Sequence, residues 1–191
     1  MPETLDLIRI RINELDLAGV EDYYLTARQH LASLDGFYGH SLWRGVGRPD
    51  DMMACFEYRD SDAAVKGIQL LSSLPLLASM QAAEYRPADL LRVQVEGRHG
   101  RKVSEAPRPG YLSMTIRVAD PGYGQTLADQ IGLIFEELAI IPGDVGSVYG
   151  FSEALPEEVI GLVVWSSEQA FASSLPPKQK VREVKLYERV F

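Results

Sequence analysis

The sequence predicts an α+β protein built from two tandem βαββαβ units whose sheets pack face to face, and three observations carry that expectation. The first is a repeat: Gly36, Gly39, Pro49 and Ala63 recur as Gly143, Gly146, Pro156 and Ala170, each 107 residues later, while Asp50-Asp51 falls on Glu157-Glu158 and Tyr58 on Trp165. These are turn and strand-end residues, which composition alone does not bring into register. The second is the order of hydrophobic periods within each half, which switches between the two-residue period of a strand and the three-to-four-residue period of a helix. The third is that residues 52–58 and 159–165 are apolar on both faces. A lone βαββαβ sheet covers one face with its two helices and leaves the other wet, a loss of several kcal/mol at about 25 cal/mol per Å² of apolar surface. Two such sheets packed together bury both.

The elements follow in order. Residues 5–12 alternate, with Ile8, Ile10 and Ile12 on one face and Leu7, Arg9 and Arg11 on the other. From Val20 the period lengthens, and Val20, Tyr24, Ala27, Leu31 and Leu34 form the stripe of a helix that Asp35-Gly36 closes. Residues 37–46 and 52–58 are strands separated by a Gly-Arg-Pro-Asp turn. Asp60-Ser61-Asp62 caps a helix that turns Ala64, Ile68 and Leu71 inward and stops at Pro75. A short helix at 76–83 and a strand at 89–96 complete a first unit spanning 1–96. Residues 97–110, with Gly, Pro and four Arg or Lys, are expected to be a solvated linker.

The plan then repeats over 111–191. Ile10-Arg11-Ile12 matches Ile116-Arg117-Val118 at an offset of 106, which predicts one inserted residue before the helix. Leu127, Ile131, Ile134, Leu138 and Ile141 restate the helical stripe at 107. Residues 145–153 and 157–166 are the middle strands, 168–174 a short helix and 181–190 the last strand. Ser72-Ser73-Leu74-Pro75 recurs as Ser173-Ser174-Leu175-Pro176 at an offset of 101, so the second helix of this unit is about six residues shorter.

Composition narrows the function. At 191 residues, with 46% apolar and 24% charged residues, the chain is ordinary for a globular protein, and each half is near the lower end of domain size. A net charge of −8 argues against a nucleic-acid or anionic-membrane surface. Cys55 is a lone cysteine and no Cys/His cluster has zinc spacing. Residues 1–6 lack the basic start and apolar run of a signal peptide, and no apolar stretch approaches the roughly 20 residues of a membrane helix. A cytoplasmic protein is expected. Phosphate-binding glycine loops, nucleophile elbows and metal-binding His pairs are absent from the sequence.

The segments Asp35-Gly36-Phe37-Tyr38-Gly39-His40, Arg48-Pro49-Asp50-Asp51 and Phe56-Glu57-Tyr58-Arg59-Asp60-Ser61-Asp62-Ala63-Ala64 resemble the antibiotic-biosynthesis-monooxygenase-like domains of the dimeric α/β-barrel superfamily. That resemblance implies ferredoxin-like units that close sheet to sheet, here inside one polypeptide as a fused pseudo-dimer. The superfamily includes cofactor-independent oxygenases acting on polycyclic aromatic phenols, haem-degrading enzymes, isomerases and domains of no known activity, so fold does not fix function. The family's strand-end tryptophan falls on Tyr58 and Trp165. Its haem-degrading branch uses a first-strand Asn, where this chain has Arg9 or Thr115, and a second-helix His, which neither 62–83 nor 168–177 contains. Haem degradation is therefore not expected.

Each candidate site residue carries two readings. His40 and Trp43 share a strand, as a half-exposed histidine and a core tryptophan or as parts of a pocket. Arg9, Arg11 and Glu57 facing the barrel interior would either pair with one another or form an anion site, because unpaired buried charge is costly. Tyr58 and Trp165 are core aromatics or substrate platforms. Cys55 reads as an inert buried thiol and Met52-Met53 as core filling.

Two functions remain. In one, a cofactor-independent monooxygenase binds a small apolar or aromatic molecule, with His40, Arg9 and Tyr58 as catalytic groups and Trp43, Glu57 and Trp165 lining the substrate. No metal or cofactor is called for, and the chain acts as a monomeric pseudo-dimer or a homodimer. In the other, the same cleft of a non-catalytic module holds a small ligand or a protein partner. The shortened second unit is expected to have lost part of its pocket wall.

Overall fold

The computed structural model of the protein describes residues 2–12, 17–74, 84–175 and 185–191, the side chains of 84–87 apart. The expected helix at 76–83 and the first residues of the expected last strand lie outside that set. The first unit runs β1 (Thr4–Ile12), α1 (Leu17–Leu31), β2 (Phe37–Gly45), β3 (Arg48–Tyr58), α2 (Ser61–Ser72) and β4 (Glu84–Gly100). The second runs β5 (Tyr111–Val118), α3 (Gly124–Leu138), β6 (Asp144–Ser152), β7 (Glu158–Trp165), α4 (Glu168–Ser174) and β8 (Lys185–Arg189).

All eight strands close into one antiparallel barrel in the order β1-β3-β2-β8-β5-β7-β6-β4. Each unit contributes four neighbours, β4-β1-β3-β2 and β8-β5-β7-β6, and the two seams pair β2 with β8 and β4 with β6. Closure removes the sheet edges that a single unit would expose. Apolar side chains then divide into three layers. Leu5, Leu7, Met53, Cys55, Leu112, Leu162 and Tyr187 fill the barrel interior. Ile10, Tyr24, Leu42, Phe56 and Leu71 lie between the first sheet and α1 and α2, and Ile131, Phe135, Val159 and Trp165 between the second sheet and α3 and α4. The double-faced burial of β3 and β7 is what the two inner layers require.

The repeated turn residues act as a matched set. Gly36 and Gly143 hold φ of +85° and +99°, and a β-carbon on either would meet the β-carbon of Ala63 or Ala170 respectively. Asp60 and Ser167, also 107 apart, cap α2 and α4 by accepting the backbone N–H of Ala63 at 2.9 Å and of Ala170 at 3.1 Å.

Three details depart from the expectations. The strands β1 and β5 superpose at an offset of 107, not 106: Thr4 pairs with Tyr58 as Tyr111 pairs with Trp165, and Leu5 with Glu57 as Leu112 with Val164. Because side chains alternate, this one-residue difference reverses every face, so Ile116 and Val118 are the counterparts of Arg9 and Arg11. On α3 the buried stripe is Ala128, Ile131, Gly132 and Phe135, while Ile134 is 38% exposed. Leu127, Ile131, Leu138 and Ile141 pack in the layer as the repeat implies, and Phe135, where the first unit has Arg28, takes the place of Ile134.

The third departure is the expected linker. Residues 97–100 extend β4, with Arg98, His99 and Gly100 paired to β6, and a single 3-10 turn at Val103–Glu105 follows. Val103 and Ala106 are buried in the barrel interior, so this basic stretch closes one barrel mouth. Two of its four cations are held by neighbours: Arg98 lies 3.1 Å from Glu3, and Lys102 lies 3.6 Å over the Tyr38 ring and 3.3 Å from Glu3.

Candidate functional site

The side chains of β2 alternate between barrel and helix layer. Ser41 and Trp43 face inward, while His40 and Leu42 face α1. His40 is 2% exposed and enclosed by rings: it stacks on Phe56 at 4.4 Å and 15°, lies 5.7 Å from Tyr24 on α1, and meets the edge of Phe191 at 5.4 Å. Neither ring nitrogen has a hydrogen-bond partner among the described residues. Burial, assisted by the charges of Arg28 and Arg189, pushes its pKa down to about 3, so the imidazole is neutral at physiological pH.

Tyr58 lies on the same face, two residues beyond Phe56. It is fully buried against Phe37, at 5.6 Å, and against Gly67 of α2, where any side chain would collide with its ring. Its hydroxyl also lacks a partner among the described residues, and burial raises its pKa well above the phenol range, so it stays protonated. Beside it, Asp6 is wholly buried and receives two hydrogen bonds from Arg92, Nε at 2.7 Å and Nη2 at 2.9 Å. Burial still holds the Asp6 carboxyl above its ordinary value against the pull of Arg92. The two-pronged geometry stabilises the charged pair.

The other predicted site residues stand elsewhere. Arg9, Trp43 and Glu57 face the barrel interior, across the sheet from His40 and Tyr58. Arg9 is paired with Asp89 of β4. Glu57 accepts the Ser104 N–H at 2.7 Å and lies 2.9 Å from Arg98 Nη2, an ion-pair distance although no hydrogen bond is aligned at that oxygen. Arg9 and Glu57 thus take partners from β4 and the turn after it, not from one another. Trp43 donates its indole N–H to Ser41 at 2.9 Å, under the guanidinium of Arg189 at 5.8 Å. Arg189 donates to the Ala106 and Ser104 carbonyls, which ties β8 to the closed mouth. Burial drives the Cys55 thiol well above its ordinary pKa, leaving it unreactive. Trp165 belongs to the second helix layer, donating to Ser113 Oγ at 2.9 Å.

Of the six residues singled out by sequence, His40 and Tyr58 therefore share a face and the remaining four do not join them. The ring enclosure of Tyr24, Phe56 and Phe191 and the Asp6–Arg92 pair were not singled out. Tyr24 was visible as part of a helical stripe, but nothing in the sequence marks which strand face it covers. Among the described residues no three His, Cys, Asp or Glu side chains converge as a metal site, and no helix is long and apolar enough to cross a membrane.

No protein-family profile matches the sequence, and no curated protein matches it. Solved structures do match the fold. A candidate monooxygenase from Lactobacillus acidophilus NCFM superposes with a TM-score of 0.76 at 12% identity, over 99% of this chain and 94% of its own. A candidate monooxygenase from Fusobacterium nucleatum gives 0.75 at 13%, over 98% and 91%. This chain shares the fold of these two structures, a closed α/β barrel of two fused ferredoxin-like units. An anthrone oxidase-like protein, at 0.71 and 15% identity over 100% of this chain and 92% of its own, has the same architecture. These matches extend over the full tandem pair, as the two ferredoxin-like units of the monooxygenase-like barrel require.

Within this barrel the two helix layers differ chemically. At the repeat offset, His40 corresponds to Ser147, Phe56 to Val163 and Tyr24 to Ile131. Among the described residues the polar ring and its aromatic enclosure occur in the first unit and not in the second.

Proposed function

We propose that the protein is a cofactor-independent oxygenase of electron-rich aromatic substrates, with its site in the helix layer of the first unit. The observation that carries this reading is His40, a neutral, buried imidazole with two unpartnered nitrogens inside an aromatic enclosure. A buried polar group without a partner costs about 1–3 kcal/mol, and a substrate hydroxyl seated against His40 would recover it. A polycyclic phenol takes the place of one of the enclosing rings, stacks on those that remain, and donates its hydroxyl hydrogen to the imidazole. Tyr58 lies along the same face as a protonated donor for a substrate carbonyl.

The chemistry needs only substrate and dioxygen. Loss of a proton leaves an electron-rich anion, which gives one electron to O2. The resulting radical and superoxide combine into a hydroperoxide at carbon, and loss of water leaves a carbonyl. One oxygen atom enters the product, the other leaves as water, and the substrate supplies the electrons. An imidazole with a pKa near 3 is too weak a base to hold the proton of an ordinary phenol. His40 therefore orients the hydroxyl, and the substrates suited to the site are acidic polyhydroxylated ketones or anthrone-type compounds whose anions form near neutral pH. The anthrone oxidase-like structural neighbour is consistent with that class.

The test is oxygen consumption with anthrone-type substrates under ¹⁸O2. One labelled atom is expected in the product, with at least about a hundredfold loss of turnover in His40→Ala. Turnover unaffected by that substitution, or no label in the product, overturns the reading. A second reading, a non-catalytic fold in which these rings are plain core, is favoured by the close stacking of His40 on Phe56. It predicts no oxygen uptake and no binding of aromatic ketones at this face.

A further inference from the structure

We propose that a separate cleft in the second unit binds a neutral, multiply hydroxylated ligand, a saccharide unit being the fitting class. A solvent-facing hollow of about 480 Å³ lies where the ends of β6 and β7 meet the start of α3, beside the β4–β6 seam. That volume falls within the range of about 300–1,000 Å³ of small-molecule sites. The described residues of the first unit differ at this place: where the second has Phe151, the first has Arg44, whose guanidinium reaches Glu21 of α1 at 2.6 Å and bridges strand to helix. Likewise α1 opens on Leu17, packed on the core, whereas α3 opens on Gly124, where a β-carbon would lie 2.8 Å from the Pro156 carbonyl and 3.5 Å from the Phe151 ring.

The lining chooses the ligand. Gln94 and Glu157 make no side-chain hydrogen bond among the described residues. Gln125 spends its amide N–H on Asp129 at 3.0 Å, which leaves its carbonyl to accept. Glu153 lies 3.7 Å from Arg92, within ion-pair distance. The two carboxylates repel an anion. The uncapped first turn of α3, with its outward N–H groups, and the nearby Arg92 oppose a cation. Hydroxyl groups satisfy both demands at once, donating to Glu153, Glu157 and Gln125 and accepting from Gln94 and the α3 N–H groups. The Phe151 ring offers an apolar face to the C–H side of a pyranose. The cleft stands apart from His40 and does not depend on the oxygenase reading.

Amide chemical shifts of the full chain, followed during titration with methyl glycosides of glucose, galactose and rhamnose, test the assignment, with n-butylamine and acetate as charged probes. Saturable shifts from at least one glycoside are expected at Gly122, Gly124, Gln125 and Glu153. Glu157→Ala should weaken that affinity about tenfold or more, and Phe151→Leu, which keeps an apolar side chain in place, should weaken it similarly. No saturable glycoside shifts, tighter binding of either charged probe at these amides, or an affinity unchanged in both variants overturns the proposal.

Discussion

The two units share a fold, a turn chemistry and an offset of 107 residues, yet their helix layers solve the same packing problem with different polarity. In the second, the strand-end aromatic is matched: Trp165 donates to Ser113, in a layer whose buried core is otherwise apolar, with Ile131, Phe135, Val159 and Val163. In the first, the counterpart of Ser113 is Asp6, which is engaged by Arg92, so the counterpart of Trp165, Tyr58, is left with an unpartnered hydroxyl. His40 is similarly unpartnered where the second unit has Ser147, a smaller group that is itself unpartnered. One copy thus keeps its layer largely apolar, and the other carries buried polar groups that cost stability and that the proposed ligand would satisfy.

The largest effect expected from breaking this contrast comes from the buried ion pair. Arg92→Met leaves the Asp6 carboxylate buried without its partner and should lower stability by about 3–5 kcal/mol, measured by urea unfolding. Adding Asp6→Ser, which copies the second unit, should restore most of that loss. Failure of the second change to rescue the first would show that the pair is not the coupled unit described.

The histidine gives the next effect. With its folded pKa pushed down to about 3 from 6.5, His40 resists protonation that the unfolded chain accepts, so its stability is whole above pH 6.5 and falls as pH drops toward 3. From pH 6.5 to 5 the loss is about 2 kcal/mol. His40→Phe should be flatter over that interval by about this amount, whereas Ser147→Ala should follow the parent protein. Equal slopes in all three proteins would contradict the buried neutral imidazole.

Smaller effects of opposite sign are expected from the strand-end aromatics. Tyr58→Phe removes a hydroxyl without a partner and should stabilise by about 1 kcal/mol, while Trp165→Phe loses the bond to Ser113 and leaves a cavity, costing about 1–3 kcal/mol. Least of all should be Asp144→Asn. Burial raises the half-buried Asp144 carboxyl to about 6 despite the opposing influence of His99, so its favourable contribution is full at low pH and is lost as pH rises through 6. Solvent screening reduces the gain on replacement to about 1 kcal/mol at pH 8, with none below pH 4. Position 37, its counterpart, is Phe and shows no such dependence.

Much of the fold was legible because turn residues are local: Gly36 and Gly143, and the caps Asp60 and Ser167, act within a few residues of themselves. Register was harder. The likeness of Ile10-Arg11-Ile12 to Ile116-Arg117-Val118 lured the alignment one residue away, because pairing with the neighbouring strand, not local identity, decides which face a side chain takes. The role of 101–110 was invisible for a similar reason, since Val103 and Ala106 are too few to read as core until the barrel gives them an interior. At the candidate site, His40 and Tyr58 could be named from the strands they occupy, but a sheet now separates them from Arg9, Trp43 and Glu57, and no linear pattern carries that information.

The claim on which the rest depends is that the buried polar face of the first unit, and not its counterpart in the second, receives the aromatic ligand. A polycyclic hydroxyketone titrated under argon into protein with ¹³C- and ¹⁵N-labelled histidine and serine tests it directly. The His40 ring signals should shift saturably while the Ser147 amide stays still; movement at Ser147 instead, or at neither, would contradict it.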